Sequence, residues 1–369
     1  MKIGILGFGS MGKTHAYSIA NLKYFYSPLP FKAEVAGITT RNPARTAELV
    51  EQYGVGKVYL NEDDMINDPE IDVIDICTPN IAHYETLKKA IAAGKNIYCE
   101  KPLCVTAAEA KEIAELAREK GIIGGIVFNT RFLLPVMRAK ELIDAGRIGK
   151  PLSFRASFLH SSSADPNKIA GWKQNKDICG GGVLFDLGSH AIDMIYHLCG
   201  EFESVSGLSQ IAYETRRGMD GSDWQTNADE AFYMTATLKC GAKGTVTCGK
   251  IMHGTNDDHS FEIYGTKGAL RFDLMEPNFL WFYDAEKPER ERGFTKVECC
   301  GRYDAPGGVF PGVKAPIGWL RGHVGSMYNY LSAVYENRQP APSFDDAAHI
   351  QAVMEAAYIS DETGERRKV

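Results

Sequence analysis

The sequence predicts an α/β protein with two domains, and three observations support this prediction. The chain has 369 residues, whereas one domain takes roughly 100 to 200. Over the first third, short apolar runs alternate with helical patterns, which is typical of a parallel sheet built from βαβ units. After residue 130, strand patterns dominate. We therefore expect a doubly wound parallel sheet in residues 1–127 and a second α/β domain in residues 128–369.

The predicted elements of the first domain alternate along the chain. We predict strands at residues 2–6, 34–39, 73–76, 96–99 and 122–128. Helices follow them, ending near residues 20, 53, 93 and 121. Asn42 and Pro43 supply an N-cap and a first-turn proline, and Thr106 with Glu109 fits a capping box. These four residues mark where two of the helices begin.

The predicted elements of the second domain are mostly strands. We predict helices near residues 136–145, 183–198, 323–337 and 345–359, and a strand near 153–160. Apolar residues alternate with Tyr and Thr over residues 232–238, which indicates a sheet with one buried face. Glycines at 241–244 and 265–268 indicate hairpin connections between successive strands.

Composition excludes several classes of protein. The 41 basic and 47 acidic residues give a net charge of −6 without a long basic block, so we expect neither nucleic acid nor an anionic membrane as partner. The N-terminal apolar stretch enters a glycine loop at once, and no apolar run approaches the roughly 20 residues of a membrane span. We expect a cytoplasmic protein with reduced cysteines. The adjacent Cys299 and Cys300 are expected to be buried thiols rather than a redox pair.

A glycine-rich loop directly follows the first strand. Its residues are Gly7, Phe8, Gly9, Ser10, Met11 and Gly12. A GxGxxG loop between a strand and a helix lets the backbone approach a pyrophosphate, so we predict dinucleotide binding. The second strand ends in Thr40 and Arg41 instead of the acidic residue typical of NAD sites, which slightly favours NADP over NAD. For His15, on the next helix, we expect a surface or packing role rather than catalysis.

Two further segments carry side chains suited to alcohol oxidation. Lys101 follows the strand at 96–99, at the edge where open α/β sheets bind ligands. Asp186, His190 and Asp193 lie four and three residues apart, so a helix would place them on one face. Removing a hydroxyl proton and stabilising the alkoxide requires a base and a cation, and these residues supply both. From residue types alone, a surface Asp–His pair with a solvated lysine fits equally well.

A further polar cluster is better explained by a turn than by a metal site. His253, Asp257, Asp258 and His259 are close in sequence. A tight turn between strands explains their polarity, and hydride chemistry needs no metal. We therefore predict no metal site.

Together, the GxGxxG loop, the Glu100-Lys101-Pro102 segment and the GGGxLxDxGxHxxD segment resemble the glucose-fructose oxidoreductase, inositol dehydrogenase and rhizopine catabolism family, called Gfo/Idh/MocA. The resemblance covers nearly the whole chain. It implies an N-terminal Rossmann domain, a C-terminal α/β domain with a large, mostly antiparallel open sheet, and homo-oligomers formed through that sheet. By this likeness Lys101 is the catalytic lysine, His190 the proton acceptor and Asp186 its partner on the substrate.

The same resemblance implies the remaining site residues. For the cofactor, NAD or NADP, it adds Thr40, Arg41, Thr78, Pro79, Asn80, His83, Glu100 and Lys101 to the glycine loop. For the substrate it implies Lys101, Arg131, Trp172, Asp186, His190 and Asp193. A domain-linking salt bridge for Arg131 and a structural cap for Asp193 are equal alternatives.

The implied activity is oxidation of a secondary hydroxyl on a sugar, glycoside or inositol ring, or the reverse reduction. Two alternatives remain open. One is a redox-neutral epimerase or glycosidase that recycles its nicotinamide. The other is a non-catalytic NAD(P)/sugar sensor.

Overall fold

The computed structural model describes residues 1–218, 220–300, 303–307 and 318–369, which form two compact units. The first unit contains residues 1–132, the described part of 303–312, and 320–349. The second contains the described part of 133–302, together with 318–319 and 350–369. The first unit thus ends its opening segment close to the predicted boundary at 127 and also takes in two segments from the C-terminal third.

The helices and strands alternate along most of the first half of the chain, and strands dominate the second half. The first half comprises β1 (Lys2–Leu6), α1 (Ser10–Phe25), β2 (Glu34–Thr39), α2 (Pro43–Tyr53), β3 (Lys57–Val58), α3 (Glu62–Ile66), β4 (Val73–Ile76), α4 (His83–Ala92), β5 (Asn96–Cys99), α5 (Ala107–Glu119), β6 (Gly124–Ile126), α6 (Leu134–Asp144), β7 (Pro151–Leu159), α7 (Lys176–Cys179) and α8 (Ser189–Cys199). The second half comprises β8 (Phe202–Gln210), β9 (Thr215–Arg217), β10 (Asp223–Gln225), β11 (Ala231–Leu238), β12 (Lys243–Gly249), β13 (Asp258–Gly265), β14 (Gly268–Asp273), β15 (Phe279–Asp284), β16 (Phe294–Glu298), α9 (Trp319–Tyr335), α10 (Phe344–Thr363) and β17 (Arg367–Lys368).

The first unit is built on a parallel sheet with strand order β3-β2-β1-β4-β5-β6. This is the order of a doubly wound dinucleotide-binding fold, so the predicted fold class is confirmed for this part of the chain. The helix starts were also predicted correctly. Asn42 accepts a hydrogen bond from the Arg45 backbone N at the start of α2, and Thr106 with Glu109 forms a capping box on α5.

Helix α9 contributes to the core of this first unit. Met327, Tyr330 and Leu331 are buried in the same apolar cluster as Ile3 and Tyr98 from the sheet. The sheet's last strand is shorter than the predicted 122–128, because β6 covers only Gly124–Ile126. A side chain on Gly124 would lie 2.5 Å from the Phe344 ring, so glycine is required for this packing.

The second unit is built on a nine-stranded sheet with order β16-β15-β14-β13-β7-β12-β11-β8-β17. Its described pairings are antiparallel except for that of β12 with β7, so the predicted large, mostly antiparallel sheet is confirmed. The alternation predicted for 232–238 is also present, since Phe232, Met234 and Ala236 are buried while Tyr233 and Thr235 are exposed. One face of β11 therefore packs on the core.

The helix that ends at Cys199 starts with an unusual turn. Residues Leu184–Gly188 form a π-helical turn, and α8 continues directly from Ser189. The segment Lys176–Cys199 is apolar enough to cross a membrane by length and composition, but 83% of its apolar window is buried inside the protein. That burial is typical of a core helix in a globular domain.

The nine cysteines, all within described residues, are free, and both Cys299 and Cys300 are buried. This agrees with the expectation of buried thiols.

Candidate active site

The loop between β1 and α1 has the backbone that a dinucleotide site requires. Gly7 adopts φ +91°, and a Cβ there would lie 2.6 Å from the Cys77 carbonyl oxygen. A Cβ on Gly12 would lie 2.2 Å from the Gly7 carbonyl oxygen. By contrast, a Cβ on Gly9 would meet nothing within 4 Å. Gly7 and Gly12 are therefore needed for packing, whereas Gly9 leaves open space at the start of α1, where a pyrophosphate would bind.

The other predicted cofactor residues lie around this loop in the first unit. The Phe8 side chain is buried, and the Thr40 hydroxyl hydrogen-bonds the Thr46 hydroxyl at 2.8 Å. The side chain of Arg41 is exposed. The cofactor roles of Thr40 and Arg41 stay predictions, as does the slight preference for NADP that Arg41 indicates.

A buried histidine links two of the predicted loop segments. His83 Nδ1 lies 3.0 Å from the Pro102 carbonyl oxygen, and its Nε2 lies 2.9 Å from the Thr78 carbonyl oxygen. Asn80 beside it is also buried, and Pro79 precedes it. His83 thus acts within the protein framework that shapes the loops after β4 and β5.

The Glu100-Lys101 pair lies at the carboxyl end of β5. The Lys101 side chain is half-buried, and its backbone N donates to Glu100 Oε2 at 3.1 Å. Burial alone would raise the pKa of the Glu100 carboxyl, but His15 and the charge of Lys101 hold that pKa below its ordinary value. Glu100 is therefore an anion fixed directly beside the predicted catalytic lysine.

In the second unit, one continuous helical segment carries Asp186, His190 and Asp193. His190 is 8% exposed and Asp193 is fully buried, while the Asp186 side chain is 17% exposed. The π-helical turn includes Asp186, and π-turns inside α-helices occur frequently at functional sites. The full burial of Asp193 favours a structural role over direct substrate contact.

Two lysines hold the Asp186 carboxylate. Lys173 Nζ donates to both carboxylate oxygens at 2.9 Å, and Lys250 Nζ lies 2.8 Å from Oδ2. Burial alone would lower the pKa of Lys250, but the charge of Asp186 raises it above the ordinary value. Asp186 is thus ion-paired to lysines on two sides. Sequence reasoning missed Lys250, because it is 64 residues away and its strand has no motif that singles it out.

Sequence reasoning also missed Asp229, which caps the helix that carries Asp186 and His190. Its Oδ1 accepts from the Gly182 backbone N at 3.0 Å, and its Oδ2 accepts from the Leu184 backbone N at 3.1 Å. Tyr358 donates to Oδ1 at 2.5 Å. Burial raises the pKa of Asp229. An N-cap supplied from outside the helix satisfies backbone donors that would otherwise be buried without acceptors.

The two softer predictions for substrate contact have different surroundings. Arg131 is buried, and its guanidinium lies 3.8 Å from the Asp346 carboxylate within the first unit. Trp172 is 43% exposed, and the Lys173 ammonium lies 5.7 Å from its ring centroid. Trp172 is therefore exposed on the surface of the second unit, next to Lys173, which binds Asp186.

The His253–His259 cluster is only partly a turn. Asp258 and His259 belong to β13, so the predicted turn ends before them. His259 stacks on Phe158 with ring centroids 4.5 Å apart, and burial lowers its pKa to about 4. Asp257 instead contacts His160 at 3.2 Å. Among the described residues, these side chains form no group with metal-binding spacing, which only His15, Asp75 and Cys77 show.

The parallel sheet with its open glycine loop, together with an ionised Asp–His helix in a second unit, defines a dinucleotide-dependent oxidoreductase. Comparison with known proteins agrees. A family profile described as "Oxidoreductase family, NAD-binding Rossmann fold" matches residues 1–127, and another described as "GFO/IDH/MocA C-terminal domain" matches residues 136–271. The chain belongs to the Gfo/Idh/MocA family and is an NAD(P)-dependent dehydrogenase, as its motifs predicted.

Individual relatives act on sugars and cyclitols. Levoglucosan dehydrogenase from Pseudarthrobacter phenanthrenivorans is 32% identical over 369 residues, which cover 96% of this chain and 95% of the relative. An NADP-dependent scyllo-inositol 2-dehydrogenase from Bacillus subtilis is 28% identical over 78% of this chain and 76% of its own. The structure of a levoglucosan dehydrogenase in complex with NADH and levoglucosan is 31% identical, with a TM-score of 0.96 and coverage of 100% and 99%.

Proposed function

We propose that the protein oxidises a secondary hydroxyl on a neutral pyranose ring, such as levoglucosan or a related glycoside, with NAD(P) as the oxidant. The observation that carries this proposal is the second unit's helical site. There His190 and Asp186 lie one turn apart, and Asp186 is ion-paired to Lys173 and Lys250. The similarity to levoglucosan dehydrogenase over nearly the full length supports a sugar ring over other alcohols.

Each of the three predicted catalytic residues has a distinct task. Bound NAD(P) supplies the nicotinamide ring that accepts the hydride from the carbinol carbon. His190 accepts the hydroxyl proton, because an imidazole transfers protons efficiently near neutral pH. The Lys101 ammonium stabilises the negative charge that develops on the substrate oxygen. Asp186 accepts a hydrogen bond from a substrate hydroxyl and orients the ring.

The lysines on Asp186 explain how this carboxylate keeps its charge. Lys250 is buried and fixed, whereas the Lys173 side chain is 47% exposed. An incoming hydroxyl can therefore replace Lys173 on the carboxylate while Lys250 remains. Trp172, next to Lys173, offers an apolar wall for the C–H face of a sugar.

The proposal also covers the choice of cofactor, the oligomer and the location. Arg41 in place of an acidic residue keeps NADP as an alternative to NAD. Homo-oligomers would form through the second unit's sheet, where Leu208 and Tyr233 pair across strands with exposed side chains. A cytoplasmic location remains part of this proposal, together with the absence of nucleic-acid and membrane partners.

The test is absorbance at 340 nm with NAD and NADP in parallel, against levoglucosan, glucosides, aldoses and inositols. We expect reduced cofactor to accumulate with at least one pyranose. Lys101→Ala and His190→Ala should each lower kcat by about 10²-fold or more with little change in NAD(P) affinity. Lys120→Ala, at an exposed lysine, serves as the control.

The alternatives give different results in this test. Product formation without accumulation of reduced cofactor would overturn the dehydrogenase proposal in favour of an epimerase or glycosidase that recycles its nicotinamide. Ligand and cofactor binding without any product would favour a sensor. Normal turnover in Lys101→Ala or His190→Ala would contradict the assigned roles.

A further inference from the structure

A set of buried charged side chains in the first unit joins Glu100, one of the predicted cofactor residues, to two residues that no role above includes. His15 on α1 is 1% exposed, and Asp75 on β4 is fully buried. His15 Nδ1 lies 2.9 Å from Asp75 Oδ1. On its other side, His15 Nε2 lies 3.3 Å from Glu100 Oε1. One imidazole therefore contacts two carboxylates, one on β4 and one directly after β5. Of the surface or packing role expected for His15, the surface position is wrong, because the side chain is buried.

The surroundings of His15 favour its protonated form. Nδ1 hydrogen-bonds Asp75 at 2.9 Å, and Nε2 lies within ion-pair distance of Glu100 Oε1. Two carboxylates on opposite sides of one ring stabilise an imidazolium. Burial alone would lower the pKa of His15, but the charge of Asp75 and its hydrogen bond raise that pKa well above the ordinary value. The cation neutralises part of the charge on Asp75 and Glu100.

The far end of this set reaches the predicted catalytic lysine. Glu100 uses Oε1 for His15 and Oε2 for the backbone N of Lys101. The Glu100 carboxylate is therefore held by His15 on one side and in turn holds the Lys101 peptide on the other. Without His15, Glu100 would be a buried anion that has lost the contact of its Oε1 atom.

We propose that His15 is a positioning residue for Lys101, acting through Glu100, and this inference rests on the proposed catalytic role of Lys101. The imidazolium holds Glu100 between itself and the Lys101 backbone, which fixes the position of the Lys101 peptide at the carboxyl end of β5. Asp75 anchors the other side of the ring to the centre of the sheet.

Other titratable groups face His15 but cannot replace it. Cys77, directly after β4, lies 3.3 Å from Nδ1, and burial raises the pKa of this thiol, so it stays neutral. Tyr98 on β5 hydrogen-bonds Ser326 at 2.7 Å, and burial raises its pKa. His323 on α9 is kept neutral, because burial and the charge of His15 lower its pKa to about 3. Because these three neighbours are neutral, His15 carries the positive charge that faces Glu100 Oε1.

The test compares two amides that each preserve one of the two contacts. In His15→Gln the side-chain amide reaches the position of Nε2 and can donate to Glu100, whereas in His15→Asn it reaches the position of Nδ1 and can donate only to Asp75. Ser326→Ala removes a neighbouring buried hydrogen bond and controls for general loss of stability. Each variant is assayed for kcat, for KM, for NAD(P) affinity and for thermal unfolding.

We expect His15→Asn to lower kcat by about 10- to 100-fold, because misplacement by about 1 Å can cost that much. His15→Gln should stay within about 5-fold of wild type, and the NAD(P) affinity of both should change little. In His15→Asn with Glu100→Gln, the combined loss should equal the larger single loss, because both changes break the same contact. Histidine ¹⁵N NMR of the enzyme without substrate or cofactor should show an imidazolium at pH about 7.5, above the ordinary imidazole pKa.

Three results would overturn the inference. Equal kcat losses in His15→Asn, His15→Gln and Ser326→Ala would show a purely structural role. A neutral His15 in the NMR titration would remove its physical basis. A stoichiometric transition metal that is lost in His15→Asn would make His15, Asp75 and Cys77 a metal site instead. Full activity in Lys101→Ala, measured in parallel, would reject the proposed function itself, so the two failures are distinguishable.

Discussion

Removing the carboxylate of Asp229 should destabilise the second unit by about 3 kcal/mol. In Asp229→Ala the backbone N–H of Leu184 loses its acceptor and the Tyr358 hydroxyl loses one as well, while the Gly182 N–H keeps only the Tyr358 oxygen. A buried donor left unpaired costs about 1–3 kcal/mol, and loss of an N-cap costs about 0.5–2 kcal/mol. Part of this cost is offset, because the raised pKa of Asp229 shows that burying its charge is unfavourable.

The assay is urea unfolding followed by tryptophan fluorescence. All four tryptophans of the chain, at positions 172, 224, 281 and 319, belong to the second unit, so their emission reports on that unit alone. Far-UV circular dichroism of the same samples shows whether the two units unfold together. Asp177→Ala, at an exposed acidic residue in the same region, is the matched control and should change stability by less than about 0.5 kcal/mol.

Asp229→Asn refines the prediction. It keeps one oxygen for Gly182 but presents an amide to Leu184, so its loss should be smaller than that of Asp229→Ala. The reasoning is refuted if Asp229→Ala unfolds at the wild-type urea concentration. Since the capped helix carries Asp186 and His190, a lower kcat should accompany the lower stability.

Three further predictions concern the other sites. Gly9→Val should fold with unchanged thermal stability but weaken NAD(P) binding by at least about tenfold, measured by calorimetry, because its branched side chain fills the space for the pyrophosphate; equal affinity would contradict the assigned loop. Lys250→Met should lower kcat by about tenfold, since general acid–base sites depend on fixed charges. The control Lys243→Met, at an exposed position, should leave kcat unchanged. An unchanged kcat in Lys250→Met would contradict a role for the buried lysine. Because the pKa of His15 is raised in the folded protein, its contribution to stability is complete below the ordinary pKa of about 6.5 and is lost as pH rises through the folded pKa. The difference in the free energy of unfolding between wild type and His15→Gln, measured with urea, should therefore shrink toward alkaline pH. A constant or growing difference would contradict a raised pKa.

Local signals in the sequence predicted most of the first unit. The glycine loop, the Asn42 cap and the Thr106–Glu109 capping box depend on residues within a few positions of one another, so each leaves a readable pattern. The period-two alternation around residue 234 likewise predicted β11 and its buried face. The parallel sheet was predicted from the alternation of strands and helices, because parallel neighbours need a crossover connection.

The parts that could not be predicted depend on pairs distant in sequence. Lys250 meets Asp186, and Asp229 meets Gly182, only because β11 and β12 return to the same helix. His15 lies on a helix whose sequence gives no sign that its partners are Asp75, sixty residues later, and Glu100. For such residues the sequence shows which side chains are charged, and only the fold shows which charged partner each one contacts.

The π-helical turn at Leu184–Gly188 has a consequence for how this family can be engineered or can diverge. A π-turn contains one more residue than the corresponding α-turn, so deleting one residue there would restore regular hydrogen bonding. A deletion at Leu187 or Gly188 would also shorten the spacing of Asp186 and His190 from four residues to three, which changes the direction of one side chain relative to the other. The two side chains would still lie on one face of the helix, but in a different arrangement. A variant shortened in this way should be the more regular helix and the poorer enzyme, which makes this turn a point where selection for stability and selection for activity oppose each other.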